Sequence, residues 1–130
     1  PEVSEEINQA FQEAGMSEVE ARASAFGANC IDTNTNQISA FLTKQTDIFV
    51  NVVVDDIEDK QALGEWAEKI LRLLEGFPPG KIPGPSPGYV GITFERGDQT
   101  VTLWFDRVKG KQQIEDGLRG EALFEALRAP

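Results

Sequence analysis

Seven residues near the middle of the chain constrain its fold more than any other stretch. In Ile48-Phe49-Val50-Asn51-Val52-Val53-Val54 the residues at 48, 50, 52 and 54 point one way, while Phe49, Asn51 and Val53 point the other. A strand largely apolar on both faces belongs in the interior of a sheet. Asp55, Asp56, Glu58 and Asp59 follow, and the apolar period then changes from two to that of a helix. Ala62, Leu63, Trp66, Ala67, Ile70, Leu71 and Leu74 form one stripe and Gly76 ends it, which predicts a helix over about 59–75. The acids sit at that helix's positive end, where its dipole favours them.

Upstream, Val3, Ile7, Ala10, Phe11 and Ala14 recur at helical spacing, with Ser4 a candidate N-cap and Gly15 the stop. From Glu18 the period is two, with Val19, Ala21, Ala23 and Ala25 alternating with polar residues. Asp32-Thr33-Asn34-Thr35-Asn36 reads as a turn into a second strand bearing Ile38, Ala40 and Leu42. Downstream, Tyr89–Glu95 and Thr100–Asp106 read as a hairpin closed by Arg96-Gly97-Asp98-Gln99. Val108–Gln113 is polar, and Gly120–Leu127 is a short last helix carrying Leu123, Phe124 and Leu127. The expected fold is α+β in the order α-β-β-β-α-β-β-α, a mainly antiparallel five-stranded sheet with its helices mostly on one face. Residues 1–130 form one domain, long enough to bury about two thirds of the unfolded surface. Residues 78–88 form a loop inside it, because five of the seven prolines lie there and exclude a helix or a central strand.

The chain has no histidine and a net charge of −10. Ser-His and Cys-His nucleophile pairs, histidine metal sites and an imidazole proton shuttle are therefore excluded. No Gly-x-Gly-x-x-Gly, Gly-Lys-Ser/Thr, Cys-x-x-Cys or Ser-x-x-Lys motif occurs, and no cofactor is expected. The acidity argues against nucleic acid, whose phosphates need cations. Residues 1–65 carry thirteen acids against three bases, and residues 66–130 carry nine of each. All of the net charge thus belongs to the first half. No run of about 18–20 apolar residues is present, so no transmembrane segment is expected. Cys30 stands alone, in a run of small and apolar residues that suits a buried thiol, and it does not reveal a compartment. The chain opens at Pro1 as a trimmed or processed form would, which leaves bacterial cytoplasmic and extracytoplasmic locations both open.

The element order and the small acidic chain together resemble the class I type III secretion chaperones and related small bacterial domains. That resemblance implies a homodimeric, non-enzymatic protein that holds an extended segment of a client. The short first helix and the proline-rich segment before Tyr89 depart from that pattern.

Four further features carry candidate chemistry. Trp104 lies on the strand face opposite Val101, Leu103 and Phe105, and with Tyr89 and Trp66 it could form a stacking platform; Trp66 belongs to the inward face of its helix. Pro83, Pro85 and Pro87 would make a stiff extended arm, without the Pro-x-x-Pro spacing of an SH3 ligand. Asp55, Asp56 and Asp59 are the candidate ligands for a weakly held divalent cation, although helix-start acids also account for them. Asp32-x-Asn34-x-Asn36 begins like a calcium loop, but Gln37 and Thr43 stand where its glycine and closing glutamate belong. Arg96-Gly97-Asp98 matches an adhesion tripeptide and equally the needs of a tight turn.

These features favour a non-enzymatic acidic module that binds a protein partner or a second copy of itself. The alternatives are an extracytoplasmic domain of an envelope protein, and a carboxylate-dependent enzyme or cation-binding domain using Asp47, Asp55, Asp56 and Asp59.

Overall fold

The computed structural model of the chain describes residues 2–32, 34, 37–77 and 88–129, of which 2, 26–32 and 37–44 by backbone alone. The elements are α1 (Glu2–Glu13), β1 (Val19–Asp32), β2 (Gln37–Val53), α2 (Lys60–Glu75), β3 (Tyr89–Arg96), β4 (Gln99–Asp106), α3 (Arg107–Glu115) and α4 (Gly120–Arg128). The strands lie in the order β1-β2-β3-β4. β1–β2 and β3–β4 are antiparallel, and β2–β3 is parallel.

The expected five-stranded, mainly antiparallel sheet is therefore replaced by a four-stranded mixed one, with four helices instead of three. The segments 38–42 and 48–53 are not two strands but one, and Val54 lies beyond its end. The polar run Thr43-Lys44-Gln45-Thr46 reads as a break, yet the ladder passes through it: Gly27 pairs with Thr43 and Phe26 with Gln45, so Lys44 is absorbed as a bulge. The parallel pair follows from α2, a crossover that returns the chain to the starting end of β2 before β3 begins. The extra helix α3 starts because Asp106 Oδ1 accepts the N–H groups of Val108 (2.8 Å) and Lys109 (3.3 Å).

The interior position of Ile48–Val53 holds, since β2 has a strand on either side. Ile48, Val50 and Val52 are fully buried with Val90, Ile92, Phe94 and Leu103. Ile7 and Phe11 of α1, the apolar stripe of α2, and Leu123, Phe124 and Leu127 of α4 join them in one cluster. The alternate residues Glu20, Arg22, Asn51, Val53, Thr102 and Trp104 are exposed. Among the described residues, the helices thus cover one face of the sheet and leave the other open.

α1 bonds the outer edge of β1 at Ala21 and Ala23. Asn8 donates from Nδ2 to the Ala21 carbonyl (2.8 Å) and accepts the Ala21 N–H at Oδ1 (2.6 Å), standing in for a neighbouring strand. Ser4 is not an N-cap, since α1 begins before it; its Oγ accepts the Ala23 N–H at 2.9 Å.

Candidate functional site

A single transverse row crosses the open face. Arg22 on β1 pairs with Phe49 on β2, Phe49 with Gly91 on β3, and Gly91 with Trp104 on β4. Gly91 has no side chain to offer, and the Trp104 ring occupies the space above it. A Cβ at Gly91 would stand 2.8 Å from Trp104 Cε3 and 3.4 Å from Phe49 Cδ1. Across this gap Trp104 stacks on Phe49, with centroids 5.4 Å apart and planes 21° apart. It also stacks on Tyr89, at 5.3 Å and 6°. The Arg22 guanidinium lies 4.7 Å from the Phe49 centroid.

Aromatic pairs of this kind contribute about 0.5–1.5 kcal/mol each beyond the area they bury, and an exposed cation–π contact about 0.5–1 kcal/mol. The row is thus held in one arrangement, yet Trp104 remains 48% exposed and Tyr89 39%. Asp47 anchors its near end: this buried carboxylate accepts the Tyr89 N–H (2.9 Å) and the Gln45 amide (2.8 Å), which fixes where β3 starts.

Beside the row the surface is polar. Thr93 and Thr102 hydroxyls lie 3.2 Å apart across β3 and β4. A concavity of about 340 Å³ bounded by Arg22, Phe49, Asn51 and Glu20 meets a second of about 510 Å³ at Glu20 and Asn51. The second is lined by Glu18, Glu20 and Glu95, and among the described residues no lysine or arginine lines it. The two concavities thus adjoin at Glu20 and Asn51, one beside Phe49 and Arg22 and the other beside the three glutamates.

The other candidates are not gathered here. Asp59 caps α2 by accepting the Ala62 N–H at 3.1 Å, and Asp56 accepts the Glu58 N–H at 2.9 Å. The Asp55 carbonyl receives a hydrogen bond from Arg96. Among the described residues no group of three His, Cys, Asp or Glu side chains could hold a metal. Pro83, Pro85 and Pro87 lie outside the described residues, as do most of the 32–36 turn and the Cys30 side chain. Arg96-Gly97-Asp98 forms the β3–β4 turn, with Gly97 at φ +61°. Trp66 is half-buried against the core with Lys69 Nζ 5.1 Å from its ring centroid, and takes no part in the platform. No described helix is long and apolar enough to cross a membrane.

Among the described residues two ionisable groups have displaced pKa values, and both belong to the helical layer. Burial lowers Arg107, opposed by Glu75 and Asp106. The Lys60 hydrogen bond, with Arg128 adding to it, lowers Glu125.

Strand parity and residue type mark Trp104 and Tyr89 as candidates but not Phe49, Arg22 or Gly91, which the structure places beside them. A glycine inside a strand, next to an aromatic hairpin partner, marks close approach by a neighbour and was the available signal. The chain matches no protein-family model, no curated protein and no solved structure.

Proposed function

We propose that this chain is a protein-interaction module, not an enzyme, and that it binds an extended peptide segment across the open face of its sheet. The observation that carries this reading is the stacked yet exposed pair of Tyr89 and Trp104 on a face that no described helix covers. Preorganised aromatic side chains contribute most of the energy of many interfaces, because little freedom is lost when they are covered. The three groove carboxylates favour lysine or arginine on the bound segment, beside an apolar or aromatic residue that covers Trp104. The resemblance to class I type III secretion chaperones implies the same kind of activity.

Calorimetric titration tests this with two synthetic peptides, one alternating lysine and phenylalanine and the other glutamate and phenylalanine. The basic peptide binds and the acidic one does not, binding weakens with salt, and Trp104→Ala lowers affinity by about tenfold or more. Equal binding of the two peptides, or none by either, refutes the reading.

A further inference from the structure

We infer that the bound segment runs along the strands and is selected by one spacing, an apolar or aromatic residue with a lysine or arginine four positions away. This rests on the peptide binding proposed above and adds which sequences the face selects. The row Arg22, Phe49, Gly91, Trp104 is one of three that cross the open face. Two residues along each strand, Glu20 pairs with Asn51, Asn51 with Thr93 and Thr93 with Thr102. Two residues further, the Glu18 carbonyl accepts the Val53 N–H at 3.1 Å, Val53 pairs with Glu95, and Glu95 pairs with Thr100.

Each row has its own chemistry. The first holds the rings and Arg22, the second is polar, and the third sets Glu18 and Glu95 on either side of Val53, which is 61% exposed. The chemistry therefore changes along the strands more than across them. A segment laid across the strands meets one row alone, whereas a segment laid along them meets all three. Residues on one face of an extended chain are two apart, as the rows are, so positions i, i+2 and i+4 meet the rows in turn. The first and third rows are four residues apart, or about 13 Å.

Charge decides which end takes which residue. A lysine or arginine at the aromatic row meets the Arg22 guanidinium, like charge against like. At the third row its aliphatic stem lies along Val53 and its head reaches Glu18 and Glu95. Glu20 on the middle row adds to the same gradient. A basic residue one or three positions from the apolar anchor projects from the opposite side of an extended segment, away from the sheet. The alternating lysine–phenylalanine peptide is of that kind, and it is held by its rings and by the general field of the acids, without a seated lysine.

Two short peptides of one composition supply the test. Each carries one phenylalanine and one lysine among serines and threonines, four positions apart in the first and three in the second. Each is made with either residue first, because a segment can run along the strands in either direction. Amide-shift titrations give the affinities. The four-apart peptide, in its better order, binds about three- to tenfold more tightly than the three-apart peptide in either order. Glu18→Gln combined with Glu95→Gln lowers its affinity to that of the three-apart peptide, while Trp104→Ala weakens both spacings; circular dichroism checks that each variant folds. If the double variant does not fold, added salt decides, since screening the glutamates removes the preference in the unaltered protein. Equal binding at the two spacings, binding of the alternating peptide alone, or a preference that survives the glutamine substitutions or salt overturns this inference and leaves the proposed function standing. Absence of binding by every peptide, the alternating one included, refutes the proposed function, and the spacing falls with it.

Discussion

Gly91→Ala probes the arrangement on which the open face depends. A methyl group there meets Trp104 Cε3 at 2.8 Å and Cζ3 at 3.1 Å, closer than carbon atoms approach, and Phe49 Cδ1 at 3.4 Å. The strand backbone gains from the change, because alanine has less freedom than glycine to lose on folding, about 0.5–1 kcal/mol. Against this, the exposed Trp104 ring is the part free to move, and moving it off Gly91 breaks its stacking on both Phe49 and Tyr89. Two such pairs amount to about 1–3 kcal/mol. The loss exceeds the gain, so the variant is less stable by about 1 kcal/mol, or ~4 °C in melting temperature. Urea denaturation measures the stability, and near-ultraviolet circular dichroism with indole proton spectra follows the ring. The Trp104 indole signal shifts toward that of a free side chain, while Trp66, in the helical layer, serves as an internal standard. If the variant instead gains about 1 kcal/mol with unchanged aromatic spectra, Trp104 does not rest on Gly91 and the account of the face fails.

Three other outcomes follow from the same structure. A side chain at Gly64 collides with the Gly120 carbonyl where α2 meets α4, backbone against backbone, so Gly64→Ala loses about 3 kcal/mol in urea denaturation. Asn8→Ala removes both bonds that seal Ala21, costing about 1–2 kcal/mol and speeding amide exchange at Ala21. The Glu125 carboxylate is held below its ordinary pKa by Lys60 and Arg128. Its contribution is thus present above the ordinary carboxylate range and disappears as pH falls through the depressed value, so Glu125→Gln flattens melting temperature against pH in that acid window.

Local pattern explains what could be read from the residues alone. The period-two run at Ile48–Val53, the stripe from Leu63 to Leu74 and the turn at Gly97-Asp98 each follow from the spacing of a few side chains, and all three elements are present. The errors arose where the decisive partner is distant in sequence. Lys44 looks like a strand end because it is polar, and only pairing across the hairpin with Phe26 and Gly27 makes it a bulge. Ser4 fits a cap by residue type, but the N–H it serves is nineteen residues away at Ala23. At the candidate site, Trp104 could be placed on the outer face from strand parity. Phe49 and Gly91 could not be joined to it, because the parallel register of β2 with β3 is set by the length of the α2 crossover and the connection into Tyr89.

The central claim is that the open face, with Trp104 on its β4 side, is the binding surface. An amide and indole chemical-shift map of the labelled protein, titrated with the alternating lysine–phenylalanine peptide, tests it most directly. The account predicts that the Trp104 indole shifts first and furthest, followed by Arg22, Phe49, Asn51 and Thr93 around the groove, with α2 and α4 unmoved. Shifts confined to the helical layer, around Glu75, Lys111 and Glu115, would contradict it.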